Sequence, residues 1–409
     1  MQNVVLFDAP GVRENLLPIT YTRTVAHIRV GITTIAEKWQ WWLDNYFLPE
    51  NDLSDGVEIS FHTVEYLREK FPPQWVGEED NLFIAGHVIP SIALCNQLAA
   101  LEPGQKVTKD GELLAYRGAH IDDADKAETI EFDDEVLKIH YLYDIFLLNG
   151  KVMEQDFREI VADRESEPLC STNTVIGNPH FPDGTPKIFI EEGAQVAGAF
   201  LNVTDGPIYI GKDVEIMEGS CIRAPFAACE HAQVRMGGKV YGATTLGPYC
   251  KVGGELNNVV MLGYSNKAHD GFLGNAVIGE WCNLGGGTVC SNLKNDYTEI
   301  KLWNYPAKHF LRTGLQFCGV MMGDHTKTGI NTMINTATVL GVGVNIHGTG
   351  FPRNFVASFS EGSAMGFTDV KMTKFFDIAQ RVMARRGKEL SEIDKKIFNS
   401  IYNIADNYK

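Results

Sequence analysis

What the sequence lacks narrows the possibilities first. No stretch of the 409 residues approaches the ~20 consecutive apolar residues that cross a bilayer. The opening apolar run, Val4 to Phe7, is stopped at once by Asp8, so it reads as a strand and not as a secretory signal. The compartment these two features imply is the cytoplasm. Positive charge is scarce: 36 Lys and Arg stand against 52 Asp and Glu, and the net charge of −16 argues against nucleic acid or a membrane as partner. The eight cysteines include no CxxC pair and no regular framework, which leaves free thiols and no local zinc motif. A nucleophile-elbow motif is also missing, so nothing points to a serine or cysteine nucleophile.

What is present divides the chain in three. Residues 1–165 alternate strand and helix signals, which predicts an α/β domain with a largely parallel sheet. Strands are expected at 4–7, 57–61, 82–86, 113–116 and 129–132. Helices are expected at 89–98, at 139–157, and where Ile28, Ile32, Ile35, Trp39 and Leu43 recur at helical spacing. Arg13, Arg23, Arg29 and Lys38 cluster in the loop-and-helix segment that runs from Arg13 into that helix. They read either as a solvated face making surface ion pairs or as a phosphate clamp after the first strand, because guanidinium groups match phosphate bidentately. Neither GxGxxG nor a Walker A sequence accompanies them.

Residues 166–362 have another texture. After a linker rich in Pro, Gly, Asn, Ser and Thr, the positions 210, 216, 222, 228, 234, 240, 246 and 252 are all apolar, and seven of the eight are Ile, Val or Leu. In a chain that is 44% apolar, eight such positions in a row have a chance of about one in a thousand per starting point, and the restriction to Ile, Val and Leu lowers it further. Phe272, Ile278, Leu284 and Cys290 continue the spacing in a shifted phase. A six-residue period with glycine beside the periodic residue predicts a hexapeptide parallel β-helix, each aliphatic pointing into a narrow core. The phase change reads as an irregular insertion near His269. Residues 363–409 return to helical spacing, with Phe375, Ile378, Ala379 and Val382 on one face, and predict a helical tail packed on the β-helix or on a neighbouring subunit and covering the open end.

LLPITYTR, RVGITTIAEKW and DIFLLNGKVMEQDF resemble the opening and closing segments of the nucleotidyltransferase domain in Bacteroidetes-type, GlmU-like bifunctional enzymes. KAHDGFLGN, NLGGGT and CSN resemble the acetyltransferase motifs of the same family. The resemblance implies a left-handed β-helix, a homotrimer, acetyl-coenzyme A as cosubstrate and magnesium as cofactor. A sugar 1-phosphate and a nucleoside triphosphate are the implied ligands, with UDP-N-acetylglucosamine as product. It casts His269 as the base that takes a proton from the attacking amine, a task suited to an imidazole. Asn283 and Asn292 take the places of sugar-binding amides, and Gly329 and Ile330 lie on the expected coenzyme wall. Arg23 and Lys38, helped by Arg13 and Arg29, would meet phosphates. The chain departs from the family where a tyrosine becomes Phe272, where a glycine-rich GxGTR loop becomes Asp8-Ala9-Pro10-Gly11, and where the sugar-phosphate cations are replaced by Asn258, Lys267 or Lys294.

His309, His325 and His347 have no family counterpart and read as structural. A single-activity transferase and a non-catalytic sugar-nucleotide-binding subunit are the competing readings.

Overall fold

The computed structural model describes residues 3–47, 59–74 and 80–409. The chain forms two compact units: Met1–Leu16, Thr22–Ile28 and Thr33–Tyr141 make the first, and Leu17–Tyr21, Arg29–Ile32 and Leu142–Lys409 the second.

The first unit is built on six strands: β1 (Asn3–Phe7), β2 (Ile59–His62), β3 (Asn81–Ala85), β4 (Gln105–Lys109), β5 (Glu112–Gly118) and β6 (Glu128–Glu131), in the order β2-β1-β3-β5-β4-β6. β2 and β3 run parallel to β1, with Val5 facing Ser60 and Phe83. β5 runs antiparallel to both β3 and β4, so the parallel expectation holds around β1 and fails at the β4–β5 hairpin. The cause is local: Asp110 and Gly111 both have positive φ, the geometry of a two-residue type I′ turn. Of the strand expected at 57–61, Val57 and Glu58 lie outside the described residues.

Helices α1 (Val12–Asn15), α2 (Ile35–Trp42) and α3 (Ile92–Ala99) complete this unit. α2 is shorter than the spacing from Ile28 predicted. Thr34 accepts from the Glu37 N–H and Glu37 reaches back to the Thr34 N–H, a capping box that starts the helix there. Ile28 and Ile32 are buried without being helical. Gly31 between them has φ +77°, where no side chain fits because Asp156 and Val152 press against it.

Helix α4 (Leu142–Val161) belongs to the second unit, so the units divide ahead of the boundary at 165 that composition marked. Its buried Asn149 accepts from the Gly31 N–H and donates to the Ala243 carbonyl, and Asp156 accepts from the Ile32 N–H. The rest of the second unit is a three-walled parallel β-helix. Ile210, Ala228 and Leu246 stack on one wall, Ile216, Val234 and Val252 on the next, and Ile222 and Val240 on the third, all buried in one core.

The phase change proves to be a shortening and not an insertion. Leu246 pairs with Met261 and Val252 with Lys267, fifteen residues on instead of eighteen, and the strands Glu255–Gly263 and Phe272–Glu280 each run nine residues without a break. The inward residue of the next rung is Leu273, not Phe272. The real insertion comes later, between Cys290 and Cys318, and carries an antiparallel hairpin, Lys301–Asn304 with His309–Arg312. Trp303 of this arm stacks on Phe355 at 4.1 Å.

An antiparallel hairpin, Ser360–Ser363 with Gly366–Asp369, ends the parallel stack. Helices α5 (Met372–Ala384) and α6 (Glu392–Ala405) then lay Phe375 and Phe398 on His325, and Phe375 and Tyr402 on Phe359, along one corner of the coils. All eight cysteines are free. No described helix is long and apolar enough to cross a membrane.

Candidate functional site

His269 stands exposed at a corner of the shortened coils. Lys251 pairs with Asn266, and Asn266 with Asn283, so three polar side chains stack outside the wall that leads to it. Gly286 lies against the imidazole: a Cβ there would be 3.6 Å from His269 Cγ. These residues line a cavity of about 440 Å³. Its aromatic side is Tyr264 and Trp281, stacked at 4.2 Å in a column that runs from Tyr249 to His325. All four column residues hold left-handed φ values between 54° and 60°, a conformation bulky side chains rarely adopt, and stacking contributes to holding it.

Four cations share the cavity: Arg235, Lys251, and Arg385 and Arg386 just past the end of α5. Arg386 also donates to Asn266 Oδ1 at 3.3 Å. Burial pushes the Lys251 pKa down, and the nearby Arg386, Arg235 and Arg385 push it further. Burial and Arg385 lower that of Arg386 in the same way. Like charges gathered so closely destabilise one another until an anion joins them. An anion in the cavity would relieve that repulsion. Sequence reasoning passed over all four; Arg385-Arg386 ending an amphipathic helix in an acidic chain was the available signal.

Of the expected residues, Asn283 and Ile330 line this cavity with His269, and Gly329 stacks on Gly285 one coil away, so close that a Cβ on Gly285 would meet the Gly329 carbonyl carbon at 2.5 Å. Lys267 lies nearby but points inward, taking an aliphatic place above Val252. It is 1% exposed, and its ammonium donates to the Gly253 carbonyl at 3.3 Å and to the His269 carbonyl. Burial lowers its pKa to about 8, against an opposing pull from Asp270. Lys267 thus braces the backbone of His269.

Asn292 and Phe272 are elsewhere, flanking Gly274; Asn292 donates to Asn275 Oδ1 at 2.8 Å. With its amide turned to satisfy its neighbours, Asn258 accepts from Asn275 Nδ2 at 3.1 Å, so three asparagines form a ladder. Asn258 and Asn275 line a second cavity of about 530 Å³. Lys294 donates to the Glu299 carbonyl at 2.8 Å, inside the inserted arm. His325 is a buried member of the aromatic column, and His309 bonds the Ala307 carbonyl at 2.6 Å.

In the first unit the solvated-face reading fails, because Arg13, Arg23 and Lys38 are all buried. Asp8, at the carboxyl end of β1, accepts from Thr63 Oγ1 at 2.5 Å and from the Val25 N–H at 2.8 Å; Arg13 lies 3.6 Å from it and donates to Tyr66 at 2.7 Å. Burial raises the Asp8 pKa against the pull of those partners. Lys38 donates to the Thr33 carbonyl and hydroxyl. Burial, with Arg23 next, lowers the His27 pKa to about 4. Arg29, also buried, lies in the second unit, where its guanidinium meets the Ile32 carbonyl and the Cys229 thiol.

Among the described residues one group of side chains comes within metal-ligand reach, His87, Glu112 and His140 in the first unit. Two imidazoles and one carboxylate do not fit magnesium, which takes oxygen donors.

Residues 4–165 match the model of a sugar nucleotidyl transferase family. The chain is 26% identical to the bifunctional protein GlmU of Trichormus variabilis over 62% of its own length and 51% of the relative's. It is 30% identical to a bifunctional sugar-1-phosphate nucleotidylyltransferase/acetyltransferase of Sulfurisphaera tokodaii over 35% of each chain. The chain thus spans about half the length of the GlmU relative it matches. A solved polysialic acid O-acetyltransferase, OatWY, aligns with 49% of this chain and 88% of its own at 14% identity and a TM-score of 0.23.

Proposed function

We propose that the chain is a bifunctional transferase that makes UDP-N-acetylglucosamine. The second unit would move acetyl from acetyl-coenzyme A to the amine of glucosamine 1-phosphate, and the first would couple the product to uridylyl from UTP. The observation that carries this reading is His269 at the edge of a cavity ringed by four cations, since both acetylation substrates carry phosphate. The sugar nucleotidyl transferase match supports the other half.

In this mechanism the amine nitrogen attacks the thioester carbonyl, and the His269 imidazole takes the ammonium proton as the C–N bond forms. The N–H of Gly286, which lines the cavity, is available to the oxyanion that develops on the carbonyl oxygen. Collapse expels the coenzyme thiolate, which leaves with a proton as the free thiol. The Asn283 amide orients the sugar, Arg235, Lys251, Arg385 and Arg386 neutralise phosphates, and the rim at Gly329 and Ile330 supports the coenzyme. In the first unit Arg13, Arg23 and Lys38 are the residues proposed for the triphosphate or sugar phosphate. Magnesium enters this proposal only as the counter-ion that a nucleoside triphosphate carries.

A homotrimer is part of the proposal. Val289 and Met333, paired on adjacent rungs, and Ile330, 77% exposed, leave apolar surface beside the cavity that a second copy would cover. Light scattering after size exclusion reports the copy number. A cytoplasmic location and the finer Bacteroidetes-type grouping accompany the same reading.

The test uses the purified full chain. With acetyl-coenzyme A and glucosamine 1-phosphate it should release free thiol, and with UTP and N-acetylglucosamine 1-phosphate it should release pyrophosphate. Release of neither product overturns the reading. Thiol without pyrophosphate would favour a single-activity acetyltransferase, a reading supported by the replaced glycine-rich loop and the fully engaged Asp8.

A further inference from the structure

We propose that His87, Glu112 and His140 bind a zinc-like divalent transition metal in the first unit, at a site separate from the residues assigned above to substrates. The three side chains come from distant parts of the sequence and converge on one point. His87 Nε2 and His140 Nε2 lie 2.7 and 2.8 Å from the same oxygen, Glu112 Oε1. All three donor atoms lie within 4.8 Å of one another.

The backbone fixes this convergence. His87 lies in the turn directly after β3, and Ile139, beside His140, donates its N–H to the His87 carbonyl at 3.1 Å. Ile89 donates to the Leu137 carbonyl at 2.9 Å, so the two histidine segments run as a bonded pair. Glu112 is the first residue of β5, placed by the tight Asp110-Gly111 turn.

Lys138 pairs with Oε2, which leaves Oε1 as a single-oxygen ligand facing the two rings. A metal would take the place of the proton each ring now shares with Oε1, that proton passing to the other ring nitrogen or to water, and each Nε2 needs to draw back from Oε1 by only roughly half an ångström to reach tetrahedral spacing. Two nitrogens and one oxygen suit zinc, cobalt or nickel and not magnesium or calcium. Glu112 and His140 are partly exposed, so the fourth position is open to water. Bound there, the ion would lash the segment before α4 to the β3–α3 connection and the β4–β5 hairpin.

Cobalt(II) titration of the chelator-stripped full chain tests the site, with the exposed Cys170 and Cys221 alkylated first so that thiolates do not compete. One equivalent should produce visible d–d bands without a thiolate charge-transfer band, zinc should bleach them, and zinc alone should raise the Tm. His140→Ala should weaken binding by about tenfold or more and remove the Tm response. His180→Ala, which alters an exposed histidine of the second unit, should change neither. If His140→Ala fails to fold, Glu112→Gln, which keeps an acceptor oxygen and the same shape, decides. The proposal is overturned if wild type binds no cobalt at stoichiometric concentration, or if the bands persist unchanged in the folded ligand variant.

Discussion

The coils from Ile208 to Val252 and those from Lys251 to Cys290 share one repeat and differ in how strictly they keep it. In the first stretch stacked residues are eighteen apart, and the column facing the core is Ile, Val, Leu and Ala. In the second the interval falls to fifteen and then seventeen, and Lys267 enters an aliphatic column. The cavity with His269 opens on the second stretch. Regular coils supply stability through apolar burial, whereas the departures from regularity carry polar side chains to one corner. The buried ammonium of Lys267 is a cost the regular coils never bear.

Four substitutions would break or sharpen that division, taken from the largest expected effect. His269→Ala should lower kcat for acetyl transfer by about 10²–10⁴-fold with nucleotidyl transfer unchanged, measured by thiol and pyrophosphate release on one preparation. A parallel loss of unfolding free energy would mean that the corner is structural after all. Leu246→Ala, in the regular stretch, should cost about 2–5 kcal/mol in denaturant unfolding while sparing kcat per folded molecule.

Arg386→Ala should raise KM for the phosphorylated acetylation substrates by about ten- to a hundredfold, the value of a charge-assisted hydrogen bond, with little change in kcat. A fall in kcat alone would remove the arginine from ground-state binding.

Lys267→Met should act through pH. The unfolded side chain keeps its proton to its ordinary pKa of 10.5, whereas the folded one releases it at about 8. Between those values the unfolded chain holds more protons, so this group makes stability rise with pH across the window. Wild type minus variant, by denaturant unfolding at about pH 8 and about pH 10, isolates the slope; an absent difference would place the ammonium in water.

The periodicity of the β-helix was legible because inward positions are apolar at nearly every rung, and the His269 that its flanking motif singled out stands beside a cavity. The phase shift was misread for a physical reason: dropping residues and adding them move a periodic pattern alike, and only the pairing of Leu246 with Met261 tells them apart. The cation cluster was only partly legible: Arg385-Arg386 at the end of an amphipathic helix was a local signal, but Arg235 and Lys251 join it through folding and share no pattern with it. In the first unit the capping box at Thr34 and the Asp110-Gly111 turn were readable signals that apolar spacing overrode. The burial of Arg13, Arg23 and Lys38 had no such signal, since a cation looks the same in sequence whether water or protein surrounds it.

Stacking at a constant interval also bears on how such a chain can vary over evolutionary time. Removing eighteen residues, or duplicating eighteen, anywhere between Ile208 and Val252 returns every side chain to an equivalent place, whereas other lengths require a coil to shorten locally, as the fifteen- and seventeen-residue coils further on do. Between Ile208 and Val252 the natural unit of change is therefore the whole coil, and descendants of this gene could lengthen or shorten that stem in such units while the coils beyond it keep their pairing.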